Sequence, residues 1–403
     1  ASAAPPTRPF SLLLKPPAYL SPAPAAPLLA RIKEKLRPGR SFISCFVVTE
    51  LEKRLSEALQ IPLLGTDPAL GHWGSKAGSR ELSARCAVPH PPVSDLVHNL
   101  DDLSEVTATL WEEHPELKRC VVKLNEGISG EGNAALDLLP LDLDACSAAG
   151  RRERLRQELE RLPMPAQGWL TLLAEQGALV EAWLEGGDQL SSPSVQGTIH
   201  PGGRVEVLST HEQILGGANG QTYQGCRFPA DQAYRLALMR HGQAVGEALA
   251  AEGALERYAV DFIARLIDGQ WDLQAIEVNL RQGGTTHPYM ALRAITTGQL
   301  HPESGEFLSP TGQALHYMAT DNLTHPNLRG LLPADLIDIV AEADLHYDPA
   351  RLRGSVFHLL GCLSEYGKLG MTCVGRSAEE AEQVYAATAG QLIQQATSVQ
   401  GGA

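Results

Sequence analysis

No stretch of the 403 residues reaches the roughly 18 consecutive apolar positions that a membrane-spanning helix requires, so no membrane span is expected. Cys-x-x-Cys is absent. The seven cysteines, Cys45, Cys86, Cys120, Cys146, Cys226, Cys362 and Cys373, lack the spacing of a zinc site or disulfide framework and read as reduced thiols. Positive charge is in deficit: 33 Lys and Arg stand against 47 Asp and Glu, a net charge of -14, which argues against wrapping a nucleic-acid backbone. Residues Ala1 to Pro6 have neither the basic start nor the apolar core of a secretory signal, and cytoplasmic residence is expected. Gly-x-x-x-x-Gly-Lys-Ser/Thr and Gly-x-Gly-x-x-Gly are both missing, which excludes the two commonest phosphate-loop signatures.

What is present is an ordinary globular composition, 43% apolar and 20% charged, in a chain long enough for two or three lobes. Residues 1–28 are dense in Ala and Pro and are expected to form a tail or strap without helix. The apolar run Phe42 to Val48 predicts a buried strand, Thr49 an N-cap, and Leu51, Leu55 and Leu59 a helix. With Ile61 to Gly65 as a second strand, a β-α-β unit follows. A strand at Arg119 to Leu124 runs into a loop holding Gly127, Gly130 and Gly132, followed by a charged helix over 151–162 and a strand over 177–184. Pro201-Gly202-Gly203 and Asp268-Gly269 predict hairpins, the second joining 259–264 to 273–279. Strands that come both as β-α units and as hairpins make the fold class mixed α/β and α+β, with several lobes and no internal repeat.

Chemistry concentrates in three places. Alternation along a strand puts Glu277 and Asn279 on one face, with Arg281 further along that side, and Asp261 joins them if the hairpin pairs closely. Two carboxylates and an amide oxygen suit Mg²⁺, although an alternating polar face is also what a solvated strand displays. The sequel Gln282-Gly283-Gly284-Thr285-Thr286-His287 lets backbone N–H groups of Gly283 and Gly284 approach a ligand or an oxyanion. Lys123 before the loop of Gly127, Ser129, Gly130 and Gly132 is a candidate phosphate cradle, or else a plain turn between strands. Glu181, Trp183 and Leu184 form a candidate adenine hinge with Asp188 near the ribose, the alternative for Trp183 and Leu184 being simple core.

Taken in order, these elements resemble the ATP-grasp superfamily over roughly residues 70 to 300. The resemblance implies an ATP-grasp fold with an N-terminal α/β lobe over 29–115, a lid over 116–188, a metal-binding lobe over 189–300 and a small C-terminal closing domain over 301–403. Lys76, within Gly74 to Arg80, looks like the first phosphate-binding lysine and Lys123 like the second. Asp261, Glu277 and Asn279 match the metal-binding trio. Arg281 matches the arginine of the Glu-x-Asn-x-Arg form of biotin carboxylases. Leu64 to Pro68, Ser209 to Leu215, Glu277 to Pro288 and Tyr366 to Gly375 resemble the pheganomycin-type peptide ligases.

That resemblance implies an ADP-forming ligase that uses ATP and Mg²⁺, or Mn²⁺ in its place. A substrate carboxylate takes the γ-phosphoryl group to give an acyl phosphate, which an amine captures as an amide. Arg281, Gly283 and Gly284 are the expected catalytic groups, and Gln196, Gln213 and His287 the candidate substrate contacts, with Ser194 beside them; Ser194, Gln196 and Gln213 read equally as a hairpin surface, the reading favoured for Ser194. The expected partners are small carboxylic acids and amines or peptides, without nucleic acid or membrane, and a homodimer is the commonest closed assembly. A carboxylase-type enzyme using bicarbonate and a non-catalytic nucleotide-binding relative remain as alternatives.

Overall fold

The computed structural model describes residues 22–126, 132–164, 166, 168–186, 189–216, 220 and 222–401. The chain divides into two compact units, one within residues 1–64 and the other within 65–403.

The first unit holds helix α1 (Pro22–Lys33), strand β1 (Ile43–Ser44), helix α2 (Glu50–Leu59) and strand β2 (Leu63–Leu64). Strands β1 and β2 pair in parallel, as a β-α-β unit requires. Thr49 caps α2 in a full capping box, its hydroxyl accepting from Leu51 N while Glu52 accepts from Thr49 N at 2.8 Å. Two expectations are corrected. The predicted strand over 42–48 shrinks to two residues, because β2, its one partner, is equally short. Within the 1–28 segment, expected to be non-helical, α1 begins at Pro22: Pro22 and Pro24 occupy the first turn, where no N–H is needed, and Ala is the strongest helix former. Residues 1–21 lie outside the described residues.

The second unit opens with a 3-10 turn over Pro68–Gly74, helix α3 (Lys76–Arg85) and helix α4 (Leu100–Glu113). A small antiparallel sheet follows in the order β4-β3-β5, from β3 (Arg119–Leu124), β4 (Asn133–Asp137) and β5 (Ala178–Ala182), with α5 (Ala148–Glu160) and α6 (Trp169–Gln176) between β4 and β5. Alternation explains its two faces. Cys120, Val122, Leu124, Ala178 and Val180 pack with Leu103, Leu155, Leu159 and Leu173 of the helices, so Lys123 and Glu181 point the other way.

The large sheet contains β6 (Leu190–Ser191), β7 (Pro193–Ile199), β8 (Val205–Gly216) and β9 (Thr222–Phe228). After helix α7 (Arg235–Ala251) come β10 (Glu256–Ile267) and β11 (Gln270–Asn279), the second predicted hairpin. Helix α8 (Thr286–Thr296) precedes β12 (Gln299–His301), β13 (Glu306–Leu308) and β14 (Ala314–Thr324). The main path runs β11-β10-β7-β8-β9-β14-β13-β12. Helix α9 (Pro333–Glu342), β15 (Gly354–His358), the short α10 (Leu363–Tyr366), β16 (Lys368–Gly375) and α11 (Ala378–Gly401) complete the chain, with β16 pairing both β14 and β15. One face of the sheet packs Val195, Val260 and Phe262 with Leu238 and Val245 of α7; the other packs Phe228 and Tyr317 with Tyr289 and Leu292 of α8. Among the described residues, no helix is long and apolar enough to cross a membrane.

Candidate active site

Helix α3 lays Lys76, Ser79 and Arg80 on one face by their i, i+3, i+4 spacing, and that face runs along β11. Lys76 Nζ lies 2.7 Å from Glu277 Oε1, and Ser79 Oγ accepts from Val278 N at 3.0 Å. The β10/β11 pairing steps from Asp261–Glu277 to Phe262–Ala275, so Ile276 is bulged out of register. Arg80 takes the carbonyls at the bulge, bonding Ala275 O and, at 2.7 Å, Ile276 O. The same guanidinium bonds Glu181 through Nε at 2.8 Å and through a second nitrogen, while Lys123 Nζ reaches the other carboxylate oxygen at 2.6 Å. Burial raises the Glu181 pKa, yet Lys123 and Arg80 outweigh it and hold the carboxyl below its usual range. Arg80 and Glu181 thus join the small sheet to the large one. Arg80 was not among the candidates read from sequence; its position four residues after Lys76 on one helix was the available signal.

The first turn of α3 is closed by protein groups. Ser75 Oγ accepts from Gly78 N at 3.1 Å, and Asn125, just past β3, accepts from Lys76 N and Ala77 N, both at 3.0 Å. Gly78 is required by close approach, since a Cβ there would sit 2.0 Å from His72 O. An anion at this end of α3 would therefore meet the Lys76 and Lys123 side chains rather than open backbone N–H groups.

On β10 and β11 the predicted trio comes together. Asp261 and Glu277 are register partners and share a face, with Asn279 opposite Ala259 one step along. Asp261 accepts from Gln213 Nε2 at 2.7 Å and from Asn279 Nδ2 at 3.1 Å, which turns the Asn279 amide nitrogen toward Asp261 and leaves Oδ1 as its acceptor atom. Burial, and then the Glu277 charge, push the Asp261 carboxyl up to about 7 against the opposing pull of Arg281. Two crowded carboxylates and an amide oxygen form a donor set that suits a hard divalent cation. Among the described residues no group of three or more His, Cys, Asp and Glu is placed to hold a metal.

The remaining candidates are placed as follows. Arg281 donates to Gln282 O at 3.0 Å. Gly283 N is bonded to Thr286 Oγ1 at 3.0 Å, and a Cβ on Gly284 would lie 2.5 Å from the Tyr223 ring, so position 284 favours glycine. Gln196 is buried on β7, where its Oε1 accepts from Thr286 Oγ1 at 3.4 Å. The His287 ring stacks obliquely on His358 of β15, their centroids 4.2 Å apart. Trp183 follows β5, its N–H bonded to Arg119 O at 3.2 Å and the Arg119 guanidinium 5.3 Å over its ring; Leu184 is half-buried beside it. The Glu181 carboxylate is engaged by Arg80 and Lys123, so an adenine amino group would have to be met by backbone carbonyls of this strand end. Gly132 closes the loop by accepting from Leu124 N at 2.8 Å. Gly127, Ser129, Gly130 and Asp188 lie outside the described residues.

Against this geometry stand the likenesses to known proteins. A family model described as "IQCH-like, ATP-grasp" matches residues 68–163, and one described as "PGM1 C-terminal domain" matches residues 335–388. The chain is similar to the L-propargylglycine–L-glutamate ligase of Streptantibioticus cattleyicolor, 29% identical over 330 residues, and to IQ motif-containing protein H of Danio rerio, 23% identical over 371 residues. These matches cover 80% and 82% of this chain, which spans 64% and 34% of the lengths of those two proteins. Among solved structures it resembles the biotin carboxylase domain of the Hydrogenobacter thermophilus 2-oxoglutarate carboxylase, in complex with MgADP, ADP and bicarbonate. That likeness, with a TM-score of 0.56 at 16% identity over 87% of this chain and 74% of the other, is one of fold.

Proposed function

Because the chain belongs to the ATP-grasp superfamily, we propose that it is an ADP-forming carboxylate–amine ligase that joins an amino acid or its derivative to an amino-acid or peptide amine. The observation that carries this reading is the meeting of Lys76 with Glu277, and of Asp261 with Glu277 and Asn279, at one end of a buried network that includes Lys123. Such a cluster offers cationic side chains for phosphates and oxygen ligands for their counter-ion within one cleft. The amino-acid ligase relative supports an amide product.

Asp261, Glu277 and Asn279 would hold Mg²⁺, which neutralises charge on the transferring phosphoryl group when bound. Lys76 and Lys123 draw the phosphates into line, and Arg281 steadies the oxygens of the carboxylate as it attacks the γ-phosphorus with ADP departing. The amine then attacks the acyl carbon, its proton leaves to a neighbouring base or water, and phosphate departs with the amide bond formed. N–H groups at Gly283 and Gly284 would meet the tetrahedral oxyanion once Thr286 yields Gly283 N. His287 is the nearest candidate proton acceptor on this corner, and Gln213 steadies Asp261 from β8. The small sheet would serve as lid, so that water is kept from the acyl phosphate.

The test is ADP release over a panel of amino acids and small peptides, with mass spectrometry of the products and a parallel arm containing bicarbonate. ADP release with an amide product supports the reading. Release that depends on bicarbonate and yields no amide overturns it in favour of a carboxylase.

A further inference from the structure

Two register lines continue the metal wall across the large sheet. Glu277, Asp261, Ser194 and His211 are successive partners on β11, β10, β7 and β8, and Asn279, Ala259, Gln196 and Ser209 form the next line. Ser194 and Gln196 are 2% exposed, and Ser209 and His211 fully buried. Each keeps one polar atom without a hydrogen-bond partner among the described residues: Ser194 Oγ, Gln196 Nε2, Ser209 Oγ and His211 Nδ1. A buried polar atom left without a partner is destabilising, so four gathered on one face of two neighbouring strands call for a ligand that answers them.

Their chemistry defines that ligand. The Thr286 hydroxyl accepts from Gly283 N and donates to Gln196 Oε1, which leaves the Gln196 amide nitrogen as a donor of two protons. His211 Nε2 lies 2.7 Å from the Tyr317 hydroxyl, for which no other hydrogen-bond partner is found among the described residues; we assign Tyr317 as the donor, which places the imidazole proton on Nδ1. Burial lowers the His211 pKa to about 3, which keeps the ring neutral. The stripe is thus two fixed donors and two hydroxyls that both donate and accept, with no charged side chain. A second carboxylate would lie beside Asp261 and Glu277 without a cation in the stripe. An ammonium would meet donors, because the oxygens of Asp261 are taken by Gln213 and Asn279. A carboxamide or peptide group fits: its carbonyl oxygen accepts from Gln196 Nε2 and His211 Nδ1, and its N–H donates to a serine hydroxyl.

We infer that Ser194, Gln196, Ser209 and His211 seat a neutral amide group of the acid substrate, so that the acid is an N-acylated, peptidic or carboxamide-bearing amino acid whose carboxylate faces Asp261 and Glu277. The inference rests on the ligase reading above and narrows its substrate.

Hydroxylamine serves as a universal amine, and hydroxamate formation is followed with N-acetylglycine, glycylglycine, L-glutamine, L-glutamate and L-lysine as acids. The amide-bearing acids should exceed L-glutamate and L-lysine at least tenfold in kcat/KM. Ser209→Ala and Gln196→Leu should each raise KM for the best amide-bearing acid about tenfold, the scale of one lost hydrogen bond in a buried site, with KM for ATP unchanged. Ser209→Ala should not lower Tm, because its hydroxyl has no hydrogen-bond partner among the described residues, whereas a purely structural serine would lower it. Preference for the charged acids, or unchanged acid KM in both variants, overturns the inference while leaving the ligase reading intact. If no acid gives hydroxamate, the ligase reading fails, and a thermal-shift titration with N-acetylglycine decides the stripe separately. Saturable stabilisation that is weakened tenfold in Ser209→Ala supports it, and no stabilisation overturns it.

Discussion

Lys76 and Glu277 face each other across α3 and β11 with 2.7 Å between Nζ and Oε1, so the cation proposed for phosphate and the carboxylate proposed for metal neutralise one another in the free protein. Under the proposed function, nucleotide and metal would separate them. Glu277→Gln should free Lys76 but remove a ligand charge, and kcat should fall by about two orders of magnitude or more, the usual scale for one electrostatic contact at a reacting centre. Because Glu277 is partly exposed, its Tm should change little. Steady-state ADP release with thermal denaturation of the same variant checks both.

The Arg80–Glu181–Lys123 cluster should behave in the opposite way. Glu181→Ala strands two buried cations and should cost about 3–5 kcal/mol of stability, measured by urea unfolding. Glu181 has its folded pKa depressed, so its contribution is present above the unfolded value of 4.5 and is lost as pH falls through the folded value. The acid limb of the stability curve should therefore flatten in Glu181→Gln.

Asp261 has the reverse sign. Its folded pKa of about 7 stands above the ordinary 3.8, so between those values the free protein holds a proton that the unfolded chain has released. Stability of the ligand-free protein should decline as pH rises through that window and level off above it. Binding of Mg·ATP at pH 6.5 should expel the proton, seen in calorimetry as a heat that varies with buffer ionisation enthalpy. Asp261→Asn should abolish that dependence.

Gly284→Ala should press its Cβ onto the Tyr223 ring and displace the corner that carries Arg281 and Thr286. A loss of kcat of tenfold or more is expected, since small misplacements of reacting groups carry large rate penalties. Tyr223→Leu in the same chain should restore part of it; kcat of the single and double variants is the measurement.

How far these features were legible follows from the range of each interaction. The 256–279 hairpin, and the shared face of Asp261, Glu277 and Asn279, could be read because period-two alternation and an Asp-Gly turn are local signals. Lys123 and Glu181 were singled out by the glycine loop and the hinge pattern, whereas their common side of the small sheet, away from its core, emerged from the strand pairing. Arg80 was not legible as a site residue. Its partners, Glu181 and the carbonyls of Ala275 and Ile276, lie 101 to 196 positions away, and a basic residue on a helix is more often a solvated one. The bulge at Ile276 that frees those carbonyls leaves no mark in an apolar strand pattern. Helix α1 escaped because Ala and Pro were weighed together, although Pro is harmless in a first turn and Ala favours helix throughout. Of the buried stripe, Ser194 and Gln196 were named as substrate contacts, but Ser209 and His211 escaped because alternating Ser, Thr and Gln on a strand look the same on a solvated face as on a covered one.

The central claim is phosphoryl transfer to a carboxylate, and isotope transfer tests it most directly. With an amino acid labelled with oxygen-18 in its carboxylate, the account predicts that one labelled oxygen appears in inorganic phosphate for each amide formed, with ADP as the nucleotide product. Amide formation with unlabelled phosphate, or with AMP and pyrophosphate, would contradict it.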